Sequence, residues 1–199
     1  MSAAVHPRSA GPFAFSAENE ARARSIVARY PAGRQASAVV PLLDLAQRQN
    51  GGSLTQEAIE HVAAMLSMPP MRVLEVASFY SMLHLTPVGR YHVQVCRTTP
   101  CWLRGGHKLT EICQRATGAP VDGVSGDGVF SLVEVECLGA CVNAPVVQIN
   151  DDYYEDLDEA SLMRVLEALR RGETPKPGSQ SGRQNSAPEG GPTTLRGEG

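Results

Sequence analysis

Four of the five cysteines in this 199-residue chain form two close pairs. Cys96-Arg97-Thr98-Thr99-Pro100-Cys101 carries the first pair and Cys137-Leu138-Gly139-Ala140-Cys141 the second. The 35 residues between Cys101 and Cys137 leave room for a helix and one or two strands. A fold that brings both pairs together makes a pocket of four thiolates, which suits zinc or an iron–sulfur cluster. The first reading is a [2Fe–2S] cluster, because two separated pairs supply two ligands to each iron. Zinc accepts these spacers too, since zinc pairs usually have about two to four residues between them. Spacing alone leaves both open, and it matches neither the plant-type ferredoxin pattern nor the bacterial four-iron run. A thiol redox enzyme would want a spacer of about two residues at the first strand–helix junction, and would leave the second pair unexplained.

Other candidates are weaker. Cys113 falls on an apolar helix face and reads as a buried small hydrophobe. His92 and His107 flank the first pair as residues to tune or ligate, although four cysteines already complete a site. Trp102 reads as packing, with shielding of the site as the alternative. Thr98, Thr99, Gly139 and Ala140 are small, so backbone N–H groups can approach the sulfurs and raise a cluster's potential. Asp151, Asp152, Glu155, Asp156, Asp158 and Glu159 read as an acidic cap on the last helix or a solvated turn. No phosphate-cradling glycine loop or nucleophile–histidine pair stands out, so nothing looks built to bind NADH or flavin itself.

The pairs need strands to hold them. Tyr91, Val93 and Val95 alternate with His92 and Gln94, a half-buried strand ending at Cys96. A helix follows Pro100, weakened at its start by Gly105-Gly106 and closed by Gly118. Leu132, Val133 and Val135 form a second strand ending at Cys137, and Val146, Val147 and Ile149 a third. Tyr153-Tyr154 adds a short one. A final helix spans about 157–171, with Leu162, Val165, Leu166 and Leu169 on one stripe. The order strand, helix, strand, strand, helix suggests a small α/β sandwich of the thioredoxin type over 89–172. Neighbouring strand ends lie about 4.8 Å apart, which would bring Cys96 and Cys137 together.

Residues 16–88 read as a helical subdomain. Ser16 opens a first helix. Val39, Leu42, Leu43 and Ala46 stripe a second. Ser53 with Gln56 reads as a capping box for a third, and Pro70 starts a fourth that is apolar on several sides. Residues 1–15 look flexible. Residues 173–199 hold six glycines, four prolines and one large aliphatic residue, and read as a disordered tail. Its removal is expected to leave folding and the site intact.

Composition excludes several classes. Hydrophobic residues make up 42%, aromatics 5%, and the net charge is -3. There is no basic footprint for nucleic acid. No apolar run approaches the roughly 20 residues of a membrane span. Residues 1–15 lack a secretory signal pattern and are poor in arginine. An odd number of cysteines without an export signal argues for a reducing cytoplasm and against a disulfide framework.

Both cysteine segments also resemble a known family. Val95 to Cys101 and Glu136 to Pro145 are similar to the small thioredoxin-like [2Fe–2S] subunit of respiratory complex I, the NADH:quinone oxidoreductase, as are Val147 to Leu157, Glu75 to Tyr80 and Pro87 to Tyr91. The likeness covers about 16–172 and looks closest to the mitochondrial and alphaproteobacterial branch. It implies one [2Fe–2S] cluster on Cys96, Cys101, Cys137 and Cys141. It implies single-electron exchange with the FMN of a partner flavoprotein subunit, which binds NADH, and docking through the N-terminal helices beside other peripheral-arm subunits. It also implies a cytoplasmic place, peripheral to the inner membrane without insertion. The matching subunit of an NAD-linked formate dehydrogenase or hydrogenase is the alternative within this chemistry. A zinc-stabilised interaction domain is the alternative outside it.

Overall fold

The computed structural model describes residues 11–188, 190, 191 and 194; the rest of both termini lies outside the described residues. The chain divides into two compact units, Met1–Val88 and Gly89–Gly199.

The first unit is helical. Helix α1 spans Ala17–Val27, and Ser16 caps it by accepting from the Asn19 N–H. A 3-10 turn at Gln35–Ala38 leads into α2, Val39–Gln49. The expected stripe of Val39, Leu42, Leu43 and Ala46 is buried. Helices α3 (Gln56–Met65) and α4 (Pro70–Phe79) complete the layer, with Leu54, Val62 and Val73 in its core. The expected capping box at Ser53 does not form. Thr55 caps α3 instead, because the Leu54 N–H is tied to the His84 carbonyl and holds the chain extended to that point. Gln47 is buried as well; it donates to the Met82 carbonyl and accepts from the His84 N–H, pinning the 82–84 segment. Helix α4 is not covered on several sides. Val73 and Ala77 are buried, while Met71 and Phe79 are 65% and 80% exposed.

The second unit is a mixed sheet with helices packed on it. In chain order it runs β1 (Tyr91–Cys96), α5 (Thr99–Leu103), α6 (Gly106–Thr117), β2 (Gly123–Val124), β3 (Phe130–Val135), β4 (Val147–Ile149), β5 (Asp152–Glu155), α7 (Glu159–Arg170) and β6 (Gly178–Ser179). The strand order is β2-β3-β1-β4-β5-β6. Strands β1 and β3 are parallel neighbours joined through α6; β4 runs antiparallel to β1 and forms a hairpin with β5. Val93, Val95, Phe130, Leu132, Val147 and Ile149 meet Leu109, Ile112, Leu162 and Val165 in one core. Gly89 admits the close approach of β1 to β3: a Cβ there would lie 2.4 Å from the Phe130 carbonyl carbon. Arg170 ties α7 to α6, with its guanidinium over the Phe130 ring and hydrogen bonds to the Ala116 and Thr117 carbonyls.

The acidic run divides by role. Asp158 caps α7 in a reciprocal box with Ser161. Hydrogen bonds from Ser161 hold its carboxyl below the usual carboxylate range. Asp156 is instead buried. The tail also departs from expectation over 173–188. It adds β6 beside β5 in parallel, and Arg183 reaches Asp156 in an ion pair whose side chains are 9% and 5% exposed. Polar contacts with the domain order it where apolar burial could not. No helix among the described residues is long and apolar enough to cross a membrane.

Candidate cluster site at the ends of β1 and β3

Parallel pairing builds the site. Strands β1 and β3 point the same way, with Cys96 opposite Val135, so both chains leave the sheet at one edge. Cys96 is the last residue of β1, and Cys101 lies in the short helix α5 that follows. Cys137 lies two residues beyond β3, and Cys141 opens a 3-10 turn, Cys141–Asn143. All four cysteines of the two pairs therefore sit on adjacent loops at one end of the sheet. Cys113 does not join them; it is wholly buried in the sheet–helix core, where burial pushes its thiol up to about 12.

The two pairs differ in depth. Cys96 and Cys101 are 2% and 1% exposed, and share a small apolar base with Ala144 and Val146. Cys137 and Cys141 are exposed, with their sulfurs 3.3 Å apart. Burial works against ionising Cys96, but the Thr98 hydroxyl, the Leu138 and Thr98 backbone and the Cys101 thiol together bring its pKa below the ordinary value. Cys101 is pushed up to about 12, first by burial and then by its neighbour Cys96. The Gly139 N–H, 3.4 Å from the sulfur, leads the causes that lower Cys137, and Cys137 in turn raises Cys141. Each pair thus holds one thiol shifted below its ordinary range and one shifted above it. Ligation of a metal by these residues would require each thiol to give up its proton, because only the thiolate ligates.

Backbone N–H groups approach the sulfurs; of the small residues expected to supply them Thr98 and Gly139 do, while Leu138 and Val146 supply the others. Leu138 and Thr98 serve Cys96, Gly139 serves Cys137, and Val146 serves Cys101. Donors of this kind stabilise the negative charge of a thiolate-bound cluster. Among the described residues no three His, Cys, Asp or Glu side chains gather tightly enough to hold a single ion. The Cys137 and Cys141 sulfurs form one close pair at 3.3 Å, and Cys96 and Cys101 lie together on the buried apolar base.

Three further residues, which the sequence does not mark as site residues, shape the site. Tyr153 on β5 donates its hydroxyl to the Leu138 carbonyl at 2.7 Å and braces the second loop. Asn143 donates to Glu155, and its carbonyl accepts from the Asp156 N–H. The peptide bond between Ala144 and Pro145 beyond it is cis. Gly106 packs directly on the first loop: a Cβ there would lie 2.7 Å from the Cys101 carbonyl oxygen. Gly106, which reads in sequence as part of a weak helix start, is thus a close contact that only glycine permits, whereas Gly105 has open space at its Cβ and a positive φ of 86°. His92 pairs its Nδ1 with the Ser131 hydroxyl at 2.8 Å. Trp102 is not core packing. It is 56% exposed, and with Leu103 and Val142, 70% and 64% exposed, it adds apolar surface beside the cysteines.

Known proteins match this arrangement. The family model described as thioredoxin-like [2Fe–2S] ferredoxin matches residues 23–170. An NADH-quinone oxidoreductase subunit of Rickettsia typhi is 57% identical over 155 residues, covering 78% of this chain and 91% of that protein. Mitochondrial NADH dehydrogenase [ubiquinone] flavoprotein 2 of Dictyostelium discoideum is 47% identical over 184 residues, covering 92% of this chain and 74% of that protein. A solved NAD+-reducing [NiFe]-hydrogenase in its air-oxidized state shares the fold, with a TM-score of 0.57 at 23% identity over 65% of this chain and 23% of its own. The chain belongs to the thioredoxin-like [2Fe–2S] ferredoxin family, and its cofactor is one [2Fe–2S] cluster.

Proposed function

We propose that this chain is an electron-transfer subunit of NADH:quinone oxidoreductase, with Cys96, Cys101, Cys137 and Cys141 holding its [2Fe–2S] cluster. The parallel β1–β3 pair carries this reading, because it delivers two thiol pairs to one edge of the sheet. The cluster supplies uptake and release of a single electron. The chain's own part is to hold it, to aim the N–H groups of Leu138, Gly139 and Val146 at the sulfurs, and to leave Cys137 and Cys141 at the surface. Exposure matters, since it shortens the path to a redox partner.

The partner is a flavoprotein subunit that binds NADH and FMN. Two apolar surfaces support docking: Met71, Phe79 and Met82 on and after α4, and Trp102, Leu103 and Val142 beside the cysteines. The complex I names of the 57% and 47% identical relatives favour this parent over a hydrogenase, whose solved structure shares the fold at 23% identity. The assembled subunit works on the cytoplasmic side, peripheral to the inner membrane.

The test uses the FMN-loaded flavoprotein subunit from the same genome. The chain is reduced with dithionite, desalted without oxygen and mixed with it. The two are expected to co-elute, and, since each cluster gives one electron and full reduction of a flavin takes two, up to half of the flavin absorbance to bleach as the cluster reoxidises. A chain that keeps its electron and elutes alone would overturn the assignment.

A further inference from the structure

The tail departs from its composition at one place, and that place is the second cysteine loop. Strand β6 pairs with β5, and the Gln180 N–H bonds the Glu155 carbonyl. The chain then turns back over residues 142–156. The Ser179 hydroxyl donates to Asp156 Oδ2 at 2.6 Å and accepts from the Arg183 N–H. The Arg183 guanidinium forks: one nitrogen donates to Asp156 Oδ1 at 2.8 Å, the other to the Val142 carbonyl at 3.0 Å. The Asn185 carbonyl accepts from Asn143 Nδ2 at 2.7 Å.

Two of these contacts land on the residues that directly follow Cys141. The Tyr153 brace fixes the loop at its start, and the Asn143 bonds to Glu155 and to the Asp156 N–H fix it at its end. It is exposed at Cys137, Gly139, Cys141 and Val142, and the backbone bonds within it belong to its 3-10 turn. Asp156 is the hinge point. It has a positive φ of 52°, its N–H bonds the Asn143 carbonyl, and its buried carboxylate is held by Arg183 and Ser179. A buried carboxylate without its cation is strongly disfavoured, so Arg183 and Asp156 keep each other in place. A planar guanidinium also serves two acceptors at once, which an amide side chain of similar shape does less well.

We propose that residues 178–185 are a strap that holds the Cys137–Cys141 loop in its ligating conformation, with Arg183 as the positioning residue. The strap works through Val142, Asn143 and Asp156 and touches no sulfur. It adds to the packing of Leu138 and Ala140 in retaining the exposed half of the site. This rests on the cluster reading for its purpose, but the contacts themselves belong to the chain. Removal of the tail is therefore expected to loosen the loop, contrary to what its composition suggests.

Hydrogen exchange on the full-length Arg183→Gln chain tests this. The amides of Asn143, Ala144 and Asp156 are expected to exchange at least about tenfold faster, while those of Val93, Val95 and Leu132 keep their wild-type rates. Iron release to a chelator should quicken in the same variant, and Arg183→Lys, which keeps the cation but not the fork, should recover only part of both effects. Ser179→Ala removes a single hydroxyl and shifts the same amides in the same direction if the Gln variant unfolds. Unchanged loop exchange in both Arg183→Gln and Ser179→Ala would overturn the strap. Absence of iron in the wild-type chain would instead overturn the cluster reading and leave the exchange result standing.

Discussion

Cys101→Ser is expected to abolish cluster binding, lowering iron from about two per chain to less than about half of one. Cys101 is the deeper member of the buried pair, on an apolar base with Ala144 and Val146. A serine hydroxyl there has no thiolate to offer, and its own proton is far harder to remove. The apo fold should survive, since the change is nearly isosteric and lies at the sheet edge. Cys113→Ser gives the opposite pattern. It places a hydroxyl in the core between α6 and the sheet, with an expected cost of about 1–3 kcal/mol if the hydroxyl finds no partner. Iron should stay at wild-type content. Iron analysis and thermal melts on both variants check the pair. Retention of iron by the first and its loss by the second would reverse the ligand assignment.

Gly106→Ala is expected to damage the same site from behind. The added Cβ would meet Cys101 at 2.7 Å from the carbonyl oxygen, 2.9 Å from the carbonyl carbon and 3.2 Å from Cβ. Two of these atoms are backbone and cannot swing aside, so α5 must shift and carry Cys101 with it. Overpacking of this kind costs about 1–3 kcal/mol. Iron release to a chelator should quicken by about tenfold or more, as for loss of a residue that orients a metal ligand. Gly105→Ala is the control: its φ is 86°, so the cost is backbone strain of about 1 kcal/mol, and nothing lies within 4 Å of the new atom. A Gly106→Ala chain with wild-type melting temperature and iron retention would show that the contact is soft.

The parts legible in sequence are those written in apolar periodicity. Alternation places β1 from Tyr91 to Cys96, and the Leu162, Val165, Leu166, Leu169 stripe places α7. Cysteine spacing, with strand ends on one sheet edge, brings the four thiols together. What sequence hides lies in polar contacts between residues far apart along the chain. Asp156 reads as one of several solvated acids, yet it is buried because Arg183, 27 residues later, supplies its counter-charge. By composition the tail cannot fold, since composition counts apolar burial and not such a pair. Ser53 fits the capping pattern, but a bond from Leu54 to His84 moves the cap to Thr55. Gly106 reads as a weak helix start, because a close backbone contact leaves no trace in hydrophobicity. Trp102 reads as packing because a large apolar ring usually buries, and its exposure depends on what α5 leaves uncovered.

The electron-transfer role turns on whether the four cysteines hold one [2Fe–2S] cluster. The visible spectrum and metal content of the full chain purified without oxygen, followed by EPR after dithionite reduction, decide it. A brown protein is expected, with about two irons per chain and a rhombic or axial signal from one reduced cluster. A colourless protein with about one zinc per chain, even after expression with ample iron and sulfide, would make the four cysteines a structural clip and remove the electron-transfer role.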